Sequence, residues 1–314
     1  MVHESREAAL EWTAWKPLEQ APSLTPDTLA EWLDGGQAFR WNRRANGDWR
    51  GIWSDRVVEF SLRKDRLHWR APEALKAGAA VAVADYLALG AAQSERLEKL
   101  PWRSDAHLRL CIEAFPGLGI LRQPFGETLL CFLCSATKQI VQIKQMVQLL
   151  AERHGAELVP GIHRLPTWQE IAAVSETALR ECLLGFRARY IHQTAQFLAQ
   201  HDGWLEETAA LPYAEAKARL CLLPGVGEKV ADCVLLFGAG KLEAFPVDVW
   251  IIKTMERRYG LDRWKPAQIA HFGRVHFGAG AGLAQQFLFA WERKAARDAR
   301  SQNERPTNHT KHTK

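Results

Sequence analysis

The stretch LCLLPGVGEKVADC, residues 220–233, constrains the chain more than any other, because it makes two helices meet through a turn of a few residues. Before it, AEAKARLCLL (214–223) is built of strong helix formers and holds no Gly or Pro. Pro224 ends that helix, and Gly225 and Gly227 admit positive φ, so the chain reverses within four residues. Beyond them Val230, Cys233, Val234 and Phe237 fall at i, i+3, i+4 and i+7, an apolar stripe that needs a partner. The pattern is helix, Gly-rich hairpin, helix. Such a hairpin points successive backbone N–H groups outward beside a helix N-terminus, an anion site that suits phosphate and uses no side-chain charge. Lys229 stands at the mouth of the second helix, where the macrodipole disfavours a cation, and an uncharged amine is a nucleophile. Alone, a lysine after a turn reads as a surface residue and G-V-G as a tight turn, so the reading depends on its company.

At 314 residues the chain is long enough for two or three packed units. Apolar runs such as TLLCFLC (128–134) fall short of the roughly 18 residues of a membrane span, so no membrane partner is expected. The opening MVHESREAALEW is too charged for a signal peptide, and an intracellular location is the expectation. The cysteines at 111, 131, 134, 182, 221 and 233 lie in apolar stretches, which reads as reduced core thiols. Cys131 and Cys134 form a lone C-x2-C pair without a second pair or a His cluster, which reads as a buried helical face rather than a metal site. Residues 250–314 carry 13 Lys and Arg against 5 Asp and Glu, a basic balance that suits nucleic acid but equally a solvated helix face.

Residues 37–70 are rich in Trp, Val, Ile and Phe and are punctuated by Asn46-Gly47, Ser54-Asp55 and Lys64-Asp65. That spacing predicts an antiparallel meander with one face packed by Trp41, Trp49, Trp53 and Trp69. From about residue 105 the periodicity turns helical: LRLCIEAF, GETLLCFLCSATKQIVQIKQMVQLLAERHG, WQEIAAVSETALREC and FRARYIHQTAQFLAQH, with loop signals at VPGIHRLP (159–166) and HDG (201–203). The fold class is α+β. The expected units are an N-terminal β domain over 1–105, a helical domain over 106–295, and a basic, disordered tail over 296–314.

Nineteen residues after Lys229, FPVDVWIIKTMERRYG (245–260) places Asp248 behind Pro246 and ahead of an apolar-periodic helix, the position of an N-cap. The hairpin, the lysine and the Pro-Val-Asp together resemble the helix-hairpin-helix DNA glycosylases, and within them the 8-oxoguanine DNA glycosylase/AP lyase branch. The likeness covers nearly the whole chain, with GQAFRW (36–41), LRQP (121–124), LGFRARY (184–190), LPGVGEKVADC (223–233), PVDV (246–249) and AGLAQQFLF (281–289) in that branch's order. Relatives with an iron–sulfur cluster carry a four-cysteine run after the Asp, and here no Cys follows Cys233, so no such cluster is expected.

The resemblance implies a TBP-like twisted sheet followed by two helical lobes, a monomer acting on double-stranded DNA that contains oxidised guanine. It also implies roles. Lys229 would attack the deoxyribose C1′ and hold the sugar as a Schiff base, from which β-elimination nicks the strand, while Asp248 would stabilise the cationic sugar. Gly36 would offer a backbone carbonyl to the N7 hydrogen that 8-oxoguanine has and guanine lacks. Cys233 and Pro246 would line the base pocket, Phe289 would stack on the flipped base, and Gln285 would bond its Watson–Crick edge. From the residues alone, Cys233 reads equally as a core thiol, and Phe289, at helical spacing, also admits a core reading. Phe186 would enter the stack and Arg187 reach the orphaned base, with Gly225, Val226 and Gly227 on a phosphate. The carbonyls of Cys221, Leu223 and Val226 would hold K+ or Na+.

Three positions depart from the branch. Its Asn-rich triplet is here Thr137-Lys138-Gln139, with Thr137 where an Asn fills the vacated space; an arginine that reads the estranged cytosine is Gln142; and a His after the Asp is Trp250. Opposite-base choice is the property these changes touch. The competing readings are a monofunctional alkylated-base glycosylase, which lacks the lysine, and a non-catalytic DNA-binding module.

Overall fold

The computed structural model describes residues 10–90 and 92–303. Its five-stranded antiparallel sheet contains β1 (Lys16–Pro17), β2 (Trp41–Arg43), β3 (Trp49–Trp53), β4 (Arg56–Arg63) and β5 (Arg66–Arg70), in spatial order β1-β5-β4-β3-β2. The turns fall at the three predicted dipeptides. Lys64 and Asp65 have φ of 48° and 62°, the doubly left-handed conformation that matches a hairpin's twist. The register Trp49–Phe60–Trp69, with Trp41 opposite Gly51, puts the four tryptophans on one face as expected. Trp41 covers Gly51 so closely that a Cβ there would lie 2.4 Å from the indole. Trp41 also stacks on Phe60 at 4.8 Å and donates through Nε1 to the Tyr86 hydroxyl at 3.0 Å.

The opposite face carries ions. Glu59 sits between Arg50 (2.9 Å) and Arg70 (2.5 Å), and the rings of Trp12 and Trp15 cover the Arg70 guanidinium at 4.9 and 4.5 Å. The N-terminal segment thus covers a face that charge alone would assign to solvent.

The N-terminal unit is not purely β. It also contains α1 (Pro26–Asp34), capped by the Thr25 hydroxyl, with α2 (Ala79–Tyr86) and α3 (Ala92–Glu98). The helical region runs through α4 (Ala106–Ala114), α5 (Phe125–Cys134), α6 (Ile140–His154), α7 (Trp168–Ala172), α8 (Glu176–Leu179), α9 (Arg187–Gln200), α10 (Trp204–Ala210), α11 (Tyr213–Leu220), α12 (Glu228–Ala239), α13 (Val249–Tyr259), α14 (Pro266–Phe277) and α15 (Ala281–Asn303).

Several expectations are corrected. The long run from Gly126 is two helices, α5 and α6, because Thr137 takes φ 55° and Gln139 starts a new helix with a capping box to Gln142. The expected loop VPGIHRLP instead holds the turn and second strand of a small hairpin, β6 (Glu157–Val159) and β7 (Ile162–His163). WQEIAAVSETALREC splits because Thr167 and Ser175 each cap a short helix. Helix α15 continues through Asn303, past the expected boundary at 296; residues 304–314 of the expected tail lie outside the described residues.

Gln37 joins the sheet unit to the helices. It donates to Gly119 O at 3.0 Å, accepts from Leu121 N at 2.9 Å, and its carbonyl accepts from Gln123 at 2.6 Å. These bonds fix Gly36 beside α5, whose Phe132 stacks at 5.7 Å on Phe237 of α12.

Candidate active site

The hairpin joins α11 to α12. Leu223 and Val226 are buried in it, and Val226 N donates to Leu223 O at 3.1 Å. Gly225 has φ 78°, and a Cβ there would lie 2.6 Å from the Tyr190 ring. Gly227 differs from the expectation: its φ of −97° is open to any residue, and no atom lies within 4 Å of where a Cβ would stand. What Gly227 leaves open is the approach to the N-terminus of α12. Behind the hairpin, Asp232 accepts from the Tyr213 hydroxyl at 2.6 Å and from Lys217 Nζ at 3.0 Å, tying α12 to α11. Sequence reasoning missed this clamp, although an acid inside an apolar stripe was its signal.

Asp248 caps α13, its Oδ1 accepting from Trp250 N at 3.0 Å and Ile251 N at 2.9 Å. Burial pushes its carboxyl above the usual range, and the Ile251 N–H and the Lys229 cation pull it back. Lys229, half-buried in the first turn of α12, holds Nζ 5.1 Å above the Phe132 ring. Both residues line an open cleft of about 790 Å³ and, beneath it, an inner cavity of about 40 Å³. Gly36, Phe132, Cys233, Phe237, Pro246, Gln285, Gln286 and Phe289 complete the inner walls, so segments from five distant parts of the chain converge there.

The inner cavity has room for about one water molecule. Gln285 is held in its wall, donating to Pro246 O at 3.2 Å and accepting from Gln286 at 2.6 Å. Cys233 lies one turn from Lys229, and burial pushes its thiol up to about 12, so it faces the pocket as a neutral group. Gly36 holds φ 102°, where side chains are strained, and a Cβ would meet Ile140 at 3.2 Å and Phe289 at 3.8 Å.

Residues 23–129 match the family described as 8-oxoguanine DNA glycosylase, N-terminal domain, and residues 130–274 match the HhH-GPD superfamily base excision DNA repair proteins. An N-glycosylase/DNA lyase of Arabidopsis thaliana is 31% identical, the match covering 94% of this chain and 84% of the relative. The apo 8-oxoguanine glycosylase/lyase of Clostridium acetobutylicum superposes with a TM-score of 0.80 at 30% identity, over 90% of this chain and 98% of that one. The chain belongs to the N-glycosylase/DNA lyase branch of the HhH-GPD superfamily. A 3-methyladenine DNA glycosylase of Archaeoglobus fulgidus, at 20% identity and a TM-score of 0.71 over 90% of this chain and 99% of that one, shares the fold alone.

Among the positions that the HhH-GPD resemblance assigns to DNA, Phe186 is about half exposed and packs edge-on against Tyr190 at 6.0 Å. Arg187 is instead turned inward. It is 3% exposed, bonds the carbonyls of Ala136 and Leu184 and the Thr137 hydroxyl, and lies 4.4 Å under the Phe186 ring. In this state it fastens the α5–α6 break to the turn before α9 rather than reaching out for a base. Gln142 is likewise engaged, its amide oxygen accepting from Gln139 N at 3.2 Å. Lys253 and Arg293 also line the cleft and were not singled out; Arg293 is one turn beyond Phe289, which was its signal. The basic C-terminal count is partly internal, because Lys294 pairs with Asp27, Arg293 and Arg297 with Glu31, and Arg257 with Glu292.

Proposed function

We propose that this chain excises 8-oxoguanine from duplex DNA and nicks the strand at the resulting abasic site, with Lys229 as nucleophile. The observation that carries this is the placement of Lys229 and Asp248 together at the mouth of a pocket walled by Gly36, Cys233, Gln285 and Phe289. The Lys229 ammonium first gives a proton to water, and the free amine forms a bond to C1′ as the bond from C1′ to the base breaks; the departing base takes the electron pair and then a proton. Asp248 favours the positive charge that builds on the sugar, an interaction stronger in the transition state than in the ground state. After the amine loses a proton and the ring opens, the imine makes the C2′ hydrogen acidic. Its loss expels the 3′ phosphate, and water then releases Lys229.

The target base must leave the duplex and the inner cavity, at about 40 Å³, must widen to take it, so Phe289 and Gln285 move on binding. Phe186 supplies the apolar wedge. The hairpin N–H groups at Gly225 and Gly227 hold a phosphate, whereas that of Val226 is already donated to Leu223 O within the turn. The carbonyls of Cys221, Leu223 and Val226 are of the donor type that a monovalent cation takes. Acting on DNA, the protein is DNA-associated.

Borohydride reduction on a duplex holding one 8-oxoguanine tests the assignment. Wild type gives a covalent adduct, and Lys229→Gln loses both the adduct and base release while still binding the lesion. An adduct at the wild-type level in Lys229→Gln assigns the nucleophile elsewhere. Base release without any adduct in wild type returns the chain to the monofunctional reading.

A further inference from the structure

Helix α1 ends at the loop that presents Gly36; Gln37 ties the far side of that loop to the segment before α5, and its near side, at Gly35, is held separately. Its C-cap, Gly35, packs so tightly that a Cβ would lie 2.0 Å from Glu31 O. The free carbonyl of Gly35 accepts from Arg293 Nη1 at 2.7 Å. The same Nη1 donates to Glu31 Oε1 at 2.6 Å. Arg293 comes from α15, one turn beyond Phe289, and its guanidinium lies 5.4 Å over the Phe289 ring. Glu31 is 4% exposed and Arg293 16%, so the contact is largely closed to solvent. Burial pushes the Glu31 carboxyl up, against the pull of Arg293 and Arg297.

We propose that Arg293 is a positioning residue for lesion recognition: it ties the Gly35–Gly36 backbone to the Phe289 ring, so that the carbonyl that reads the base and the ring that stacks on it keep a fixed spacing. This rests on the base-pocket assignment above and adds to it the part that sets the pocket's height. The two walls come from residues far apart in the chain, Gly36 after α1 and Phe289 on α15, and their spacing is not fixed by either element alone. One guanidinium bonded to the first and stacked on the second fixes it. A hydrogen-bond acceptor discriminates between N7–H and a bare N7 lone pair only while its distance is short, since attraction and repulsion both fall steeply with distance. A loosened loop therefore costs discrimination more than it costs the amine chemistry at Lys229.

An abasic duplex separates these effects, because it has no base to recognise but is nicked by the same lysine. Arg293→Met, which keeps the length of the side chain and loses the donors, is expected to lower single-turnover excision of 8-oxoguanine by up to about a hundredfold, the scale of an ångström of misplacement. Nicking of the abasic duplex falls at least about tenfold less, a margin of about one hydrogen bond's worth, because the loss of a charge that bears on the Asp248 carboxyl is common to both reactions. Arg293→Lys, which can still reach one acceptor, falls between. An Arg293→Met protein in which both reactions fall together, or neither falls, overturns the proposal. The double variant Glu31→Gln/Arg293→Met removes the buried carboxylate that is left with Arg297 alone. If it regains wild-type excision, the loss came from that buried charge and the proposal fails; continued loss supports it. Phe289→Ala keeps the two hypotheses apart. If it retains the wild-type ratio of excision to nicking, the base pocket itself is misassigned. If it loses the ratio while Arg293→Met keeps it, the pocket stands and the positioning role falls.

Discussion

The two hairpin glycines should fail in opposite ways when each is given a methyl group. At Gly225 the backbone sits at φ 78°, a conformation that costs an L-residue roughly 1–2 kcal/mol. The added Cβ would stand 2.6 Å from Tyr190 Cδ2 and 2.8 Å from Cγ, an overlap with the root of a ring that cannot swing aside. Overpacking of this kind costs about 1–3 kcal/mol. Gly225→Ala should therefore lose about 2–5 kcal/mol of unfolding free energy, and because Tyr190 packs on Phe186 the wedge should shift with it. At Gly227 the φ is ordinary and the surroundings are open. Replacing Gly by Ala at an N-cap costs about 1 kcal/mol, and the reduced freedom of the unfolded chain returns about 0.4–1 kcal/mol. Gly227→Ala should thus unfold within about 0.5 kcal/mol of wild type. Its methyl projects where a phosphate must approach, and the hydrogen bond to a charged oxygen at stake is worth about 1.5–3 kcal/mol, a loss of at least about tenfold in affinity. Urea denaturation and duplex binding at one fixed salt concentration give both numbers. A Gly227→Ala protein that is stable and binds DNA like wild type refutes the phosphate site at this end of the hairpin. A Gly225→Ala protein as stable as wild type refutes the strain argument.

Asp248→Asn should keep the fold, since Asn caps a helix as well as Asp, but slow single-turnover excision by about a hundredfold or more; an unchanged rate leaves Asp248 as a cap alone. Burial pushes the Glu127 carboxyl up to about 7 from its ordinary 4.5. A pKa raised in the folded state means stability present below the unfolded value and lost as pH rises through the folded one. Stability should therefore decline between about pH 4.5 and 7 by at most about 3 kcal/mol, and Glu127→Gln, whose amide oxygen can still accept from Ser54 N, should flatten that slope in melts taken at several pH values. With Thr137 and Gln142 where the family places stronger readers, excision opposite C, T and G should agree within about tenfold, because each missing polar contact removes about 1–3 kcal/mol of discrimination. Single-turnover excision from duplexes that differ only in the opposing base decides this, and a hundredfold preference for cytosine would sink it.

Local chemistry was legible where it acts over short spans. The dipeptide turns, the single-faced tryptophans and the Asp248 cap each follow from a few adjacent residues, and the structure has them as read. What could not be read depends on partners distant in sequence. Arg50, Glu59 and Arg70 look like a solvated row until Trp12 and Trp15 cover them. Arg293 looks like one more basic residue on a polar helix face until Glu31 and Gly35, some 260 positions earlier, meet it. The split between α5 and α6 was hidden for a different reason. Its sequence, SATKQ, contains no Gly or Pro, and the left-handed residue is Thr137, a β-branched type that seldom takes that conformation.

Thr137 can stay there because the cost is met from outside. Arg187 holds the carbonyl of Ala136 and the hydroxyl of Thr137, and Gln142 closes the start of α6 over Gln139. Removing Arg187 would leave buried carbonyls and a strained threonine unsupported, so the guanidinium has a structural task before DNA arrives. If it also reads the orphaned base, it must exchange protein acceptors for nucleic-acid ones at the moment of binding, and the net gain is the difference between two sets of similar hydrogen bonds. Such a difference is small. A residue free in the unbound protein would contribute its full contact energy to base choice, whereas one already satisfied contributes little. The departures at 137 and 142 and the inward turn of Arg187 therefore lead to one conclusion by separate routes: this chain keeps its unbound break in order with the groups that would otherwise choose the partner base.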